Sequence, residues 1–166
     1  FLINLKSIGF PGILAAIFYT FANIMFVHAF ANTTVANALF TLSAIPFITA
    51  ILAFYFLNEN LSLRTIIIMI IAFAGIVLMI SEGLALGEFF GNIMALGTAL
   101  FFSCFAITLR KFRKLDMLPT LLIAGLMVSW ITLIMTYNFI KIPINEMFLC
   151  FIWGGVLSGF VNYIFI

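Results

Sequence analysis

Apolar residues in this chain come in blocks of about 20, separated by brief polar punctuation. A run of that length is what a helix needs to cross a ~30 Å hydrocarbon core. Six such blocks are legible, at residues 12–30 (span A), 35–57 (B), 63–80 (C), 89–109 (D), 118–137 (E) and from 148 onward (F). Span C is short and needs Arg64 to reach the interface along its own aliphatic stem. Strands of a membrane barrel would alternate apolar and polar residues over about ten positions, and these continuous blocks do not. The connections, at 31–34, 58–62, 81–88, 110–117 and 138–147, are too short for a soluble domain. The expected fold is all-α, a polytopic transmembrane helix bundle with its function inside the bundle.

Composition sharpens this picture. Apolar residues make up 66% of the chain and charged residues 7%, against roughly 45–50% and about 25% in soluble domains. Seven basic and five acidic side chains cannot give a globule of 166 residues a polar surface. A soluble enzyme, a nucleic-acid binder and a disordered chain are excluded on that ground. Phe1 opens the chain without an initiator Met, so the sequence is expected to be an internal piece of a longer protein, with any targeting segment unreadable. Cys104 and Cys150 lie within apolar runs, outside any metal-ligand spacing, and are expected to act as small buried hydrophobes.

The placement of charge says more than its sum. Successive spans cross in alternating directions, so the N-terminal segment, the B–C loop and the D–E loop share one side. That side carries Lys6, Arg64, Arg110, Lys111, Arg113 and Lys114, six of the seven basic residues. The other side carries Lys141 with Glu82, Glu88 and Glu146. The positive-inside rule makes the basic side cytoplasmic, with the Arg110–Lys114 cluster read as a topology determinant.

Two spans resemble each other. Phe21-Ala22-Asn23-Ile24-Met25-Phe26 in span A and Phe160-Val161-Asn162-Tyr163-Ile164-Phe165 in span F match in Phe, Asn and Phe at a constant offset of 139 residues, and Ile13 then falls on Ile152. Spans A and F are an odd number of crossings apart and so run in opposite directions. Related units of opposite direction are the inverted repeats of many secondary transporters, which hold substrate near the midplane. On this register residues 1–82 form the later part of a first repeat and residues 83–166 the opening part of a second, in a protein of about ten spans.

The residues also resemble the EamA-type drug/metabolite transporter superfamily. Span B has Asn37-Ala38 near its start, Ser43-Ala44-Ile45-Pro46 at its middle and Leu57-Asn58-Glu59 at its close, the last similar to the family's Leu-Gly-Glu with Asn in place of Gly. Ala74-Gly75-Ile76-Val77-Leu78 in span C resembles the family's fifth helix; Gly91-Asn92 opens span D and Leu109-Arg110-Lys111 closes it as the sixth helix usually closes. The resemblance covers nearly the whole chain, as helices three to eight of ten. It implies a carrier with a cytoplasmic Glu59 loop, for amino acids, nucleotide-related metabolites or drugs.

Polar residues inside the spans are the candidates for that work. Pro46 lacks an N–H and its ring clashes with the Leu42 carbonyl, so span B should kink there. In lipid the freed carbonyl must find a partner or face a cavity. Asn37 and Thr41 precede it on one face. Asn23 and Asn162 are amides deep in apolar helices, where polar groups face the bundle interior; Tyr19 and Thr20 share the face of Asn23. Tyr19, Thr20, Asn23, Asn37, Thr41, Pro46 and Asn162 are therefore the candidate cavity residues. A structural kink at Pro46 and interhelical hydrogen bonding by the amides stand as alternatives. His28, near the outer end of span A, is the candidate protonation site. Glu59 reads as loop structure. Ser103 and Thr108 are expected to bond their own helix. The pairs Gly125/Ser129, Gly154/Ser158 and Gly155/Gly159 and the stripe Gly91, Ala95, Ala99 are expected to pack helices closely. Trp130 is read as packing or cavity, and Tyr137 and Trp153 as interface anchors.

Ser/His/Asp sets, metal-ligand clusters and phosphate loops are not found in the sequence, so neither catalysis nor a metal or other cofactor is expected. The expected function is inner-membrane secondary transport of a small metabolite by alternating access. The rivals are a channel and a membrane-embedded enzyme or structural subunit acting on lipid-linked substrates. Expected partners are the small-molecule substrate and the lipid bilayer, not nucleic acid, with a homodimer left open.

Overall fold

The computed structural model describes residues 9–85, 88–113, 118–136, 148 and 152. Among them it is almost entirely helical, without a strand. The helices are α1 (Gly9–Asn32), α2 (Val35–Leu42), α3 (Ile45–Leu57), α4 (Leu63–Ala85), α5 (Phe89–Lys111) and α6 (Leu118–Thr136). By length and composition Gly9–Asn32, Val35–Leu57 and Phe89–Lys111 can each cross a membrane. The chain divides after Trp130 into two compact units. The first holds α1 to α5 and most of α6. Of the second, the end of α6 with Phe148 and Ile152 is described, and Cys150, Trp153 and Asn162 lie outside the described residues, as do Tyr137 and Lys114.

Each element starts and stops for a local reason. Gly9, in the left-handed region at φ 58°, opens α1, and Pro11 falls in the first turn, where its missing N–H is not needed. No Gly or Pro follows Gly12 before Asn32, so α1 outruns the expected 12–30 at both ends. Thr34 caps α2, its hydroxyl accepting the Asn37 N–H at 3.3 Å. Ser62 caps α4 in the same way, accepting the Thr65 N–H at 3.2 Å. The α4 helix runs on through Ser81 and Glu82, which the sequence pattern assigns to a loop. A last turn that leaves the hydrocarbon has no need to be apolar.

Span B is two helices. Ser43 and Ala44 form a tight turn, with the Ala44 N–H bonded three residues back to Thr41, and Phe47 and Ile48 both donating to the Ala44 carbonyl. Pro46 then sits in the first turn of α3. The expected kink falls as a tight turn two residues before the proline, with Ser43 and Ala44 still in the right-handed helical region, and this places Pro46 where its missing N–H is tolerated.

Small residues build the core. Gly12, Ala15, Ala16, Ala22 and Ala29 are buried along α1, and Gly91, Ala95, Ala99 and Ser103 along α5. Lipid gives no hydrophobic drive for helix association, so close backbone approach carries the packing. Gly91 is the tightest case: a Cβ there would stand 2.5 Å from the Asn32 carbonyl carbon and oxygen. Gly125 differs, with nothing within 4 Å of an added Cβ. Large apolar side chains face outward, Trp130 among them at 65% exposed.

Helix directions follow from who meets whom. Gly91 lies against the end of α1, and further along α5 Phe101 stacks on Phe21, its centroid 5.4 Å away, and Phe105 meets Tyr19 at 4.9 Å. The two helices are antiparallel. The broken pair α2–α3 runs parallel to α5, with Asn37 at Glu88, Ile45 at Ser103 and Glu59 at Arg110. Alternating crossings require this arrangement.

Candidate functional site

A cavity of about 230 Å3 opens at the break in span B. Tyr19, Ala22, Asn23 and Phe26 of α1 form one wall, and Thr98 and Phe102 of α5 another. Leu42 and Ile45, on either side of the break, close it. The volume falls below the usual range for ligand pockets, about 300–1,000 Å3. Its lining holds aromatic rings, an amide and two hydroxyl-bearing side chains, and no charge. The Asn23 amide donates one hydrogen to the Tyr19 carbonyl at 2.8 Å, leaving its other N–H and its oxygen for a ligand. Thr98 donates to the Met94 carbonyl at 2.9 Å.

Of the residues singled out from sequence, Tyr19 and Asn23 meet in this cavity. Pro46 is exposed, next to the lining residue Ile45. Thr41 is buried at 1% exposure and its carbonyl takes the Ala44 N–H. Thr20 points elsewhere: its hydroxyl bonds the Ala16 carbonyl at 2.8 Å and approaches that of Ala124 in α6 at 3.5 Å. His28 is half-buried one turn before Asn32, whose amide bonds its carbonyl. Ser103 and Thr108 bond the carbonyls of Ala99 and Cys104, and Ser103 also reaches Ile45 at 3.1 Å across the helix pair.

A second cavity, of about 250 Å3, lies towards the other end of the same three helices. Leu14, Phe18, Leu52, Phe56 and Ile107 make it apolar, Cys104 borders it, and Lys111 stands at its edge with Nζ 5.8 Å from the centre of the Phe56 ring. Phe105, 6% exposed, contacts both Tyr19 and Phe102 of the first cavity, and its chain neighbour Cys104 lines the second. Beyond it Arg110 pairs with Glu59 at 2.9 Å, both half-exposed, a geometry that contributes roughly 0.2–1 kcal/mol. Arg113 is exposed beside them.

At the opposite end Glu88 gathers donors that the sequence pattern does not reveal. Its Oε2 accepts the Thr33 hydroxyl at 2.7 Å, the Asn37 amide at 2.8 Å and the Thr34 N–H at 3.4 Å. The Thr33 bond above all, then the Asn37 bond, holds this carboxyl below the usual carboxylate range against a desolvation that would raise it, with the Thr34 N–H adding to them. Asn92, one turn on, is 1% exposed, with Oδ1 3.1 Å from the Thr33 hydroxyl and Nδ2 unbonded. The rule that selects Asn23, an amide deep in an apolar helix, selects Asn92 equally. Glu88 gave no such signal, because its partners are set by the meeting of three elements.

No curated protein and no solved structure matches the chain. Residues 2–81, which hold α1 to α3 and most of α4, match the model of the EamA-like transporter family, a similarity that supports membership of the EamA-type drug/metabolite transporters and a multi-pass membrane protein.

Proposed function

We propose that this protein is a secondary carrier that moves a small metabolite across the inner membrane by alternating access, holding it in the cavity at the break in span B. The observation that carries this reading is the convergence of Asn23 and Tyr19 with the interrupted backbone at Leu42 and Ile45. Irregular backbone at membrane depth is tolerated where it is buried in protein or lines a cavity, and broken helices at the midplane are where carriers bind substrate. Without a charged group in the lining, the substrate class is an amphipathic solute with a ring or alkyl part for Phe26 and Phe102 and a polar edge for Asn23. Among amino acids, nucleotide-related metabolites and drug-like solutes, those that set an apolar part beside an uncharged polar edge offer such pairings. The inverted-repeat division at residues 82 and 83, and a cytoplasmic position for Lys6, Arg64 and Arg110–Lys114, belong to the same proposal.

The test is counterflow in proteoliposomes holding the full-length protein, screened against pooled amino acids and nucleotide-related metabolites. Saturable counterflow that falls by about fivefold to a hundredfold in Asn23→Leu is expected, since a substrate edge left unpaired in a dry site costs about 1–3 kcal/mol. Folded protein without counterflow in any pool would end the carrier reading. Counterflow unchanged in Asn23→Leu would move the site elsewhere.

A further inference from the structure

The hydrogen-bonded set around Glu88 has no part in lining the cavity, yet it controls an element that does. Its three donors, the Thr33 hydroxyl, the Thr34 N–H and the Asn37 amide, belong to the α1–α2 turn and the first turn of α2. Glu88 itself is the capping position of α5. One carboxylate oxygen therefore ties the start of α2 to α5 beside the end of α1. At its other end α2 stops at the Ser43–Ala44 turn, and Leu42, its last residue, lines the cavity. An eight-residue helix that ends at a tight turn, with its start tied to α5 through one carboxylate oxygen, has the form of a lever.

Asn92 adds a second observation. Thr33 has one hydroxyl hydrogen and faces two acceptors, Glu88 Oε2 and Asn92 Oδ1, while Asn92 Nδ2, buried, has no partner. Exchanging the two ends of the Asn92 amide lets Nδ2 donate to the Thr33 oxygen and leaves Oδ1 unpaired instead. In either orientation the closed set is one bond short, so its release forfeits less than a fully satisfied network would.

Building on the carrier reading, we propose that Glu88 is the positioning residue of a gate: its carboxylate latches α2 across the path from the cavity to the Glu88 end, and its release lets α2 swing about Ser43–Ala44 and open the cavity to that side. Between the cavity and Glu88 stand the last two turns of α1, α2 and the first half of α5; a swing of α2 uncovers its buried Ala38 and Thr41 and leaves the α1–α5 interface packed.

The experiment uses the full-length protein in proteoliposomes, with native cysteines replaced and Phe26→Cys as a reporter in the cavity wall. A membrane-impermeant maleimide is applied to the Glu88-bearing face. Glu88→Gln, which keeps shape and loses charge, is expected to raise the labelling rate about tenfold. Thr33→Val, which keeps the charge and removes the strongest donor, should raise it in the same direction. Parent-like rates in both variants, with unchanged elution as folded protein, would overturn the latch. Labelling needs no substrate, so the two readings fail separately. Counterflow with unchanged labelling leaves a carrier without this latch, and raised labelling without counterflow in any pool leaves a latch in a protein that is not a carrier.

Discussion

Asn58 ends α3 at φ 54° and ψ 37°, in the left-handed conformation that side chains with a Cβ avoid. Its N–H closes onto the Ala53 carbonyl, the bond by which such a residue terminates a helix. Asn stands here where the family's pattern has Gly, and the backbone gives the reason: Asn is the residue that tolerates this region best after Gly. Asn58→Gly should hold or slightly raise the thermal midpoint of the protein in detergent. Asn58→Val should lower stability by about 1–2 kcal/mol, because a branched Cβ meets the following carbonyl. Equal midpoints for the two variants would show that the end of α3 is set by Ser62 and the α4 cap instead. At this scale the sequence was partly legible. Pro46 located the break to within two residues, and Asn23 announced itself as a costly amide. Glu88 and Thr33 did not, since a carboxylate and a hydroxyl near a helix end look the same whether or not three elements meet there.

At the scale of helices, the expected outer boundaries of spans A, B, D and E lie within a few residues of those observed, because bilayer thickness fixes the length of an apolar run. Which face of each helix turns inward was harder to read. In lipid both faces are apolar, so the hydrophobic stripe that orients a helix in a soluble protein is missing. Size replaces polarity as the signal: Ala15, Ala16, Ala22 and Ala29 turn in from α1, whereas Ile13, Phe21 and Val27 turn out. Two glycines of α5 show how sharply this matters. An added methyl at Gly91 would meet the backbone of Asn32 at 2.5 Å and the Thr33 Cβ at 2.7 Å, neither of which can yield without moving α1. One at Gly97 would meet the Met25 sulfur at 2.5 Å, the flexible end of a side chain that can rotate away. Gly91→Ala should therefore cost about 1–3 kcal/mol and Gly97→Ala markedly less, as read by thermal unfolding in detergent. Similar losses at both positions would mean that the α1–α5 interface adjusts as a whole. The same substitution at Gly91 would also disturb Thr33, so it should loosen the Glu88 set as well.

Across the whole first unit, polar chemistry separates by end. Glu88, Thr33, Thr34 and Asn37 meet at one end of α2 and α5, while Glu59, Arg110, Lys111 and Arg113 gather at the other. The cavity at Asn23 lies between them, lined without charge. The basic end was legible from the sequence because it depends on counting loops of alternating side, which needs no knowledge of packing. Antiparallel α1 and α5, with α2–α3 parallel to α5, is the geometry that such counting assumes. It makes the topology testable with two exposed positions at opposite ends of the broken span, Ala31 before it and Asn60 after it. In the full-length protein with native cysteines replaced, Asn60→Cys should react with an impermeant maleimide only from the cytoplasmic side, and Ala31→Cys only from the outside. Labelling of both from one side would mean that Val35–Leu57 does not cross the membrane, whatever its length. The exchanged pattern would keep the crossing and reverse the orientation, placing Glu88 and its latch on the cytoplasmic face and leaving the basic cluster outside, against the rule that assigned it.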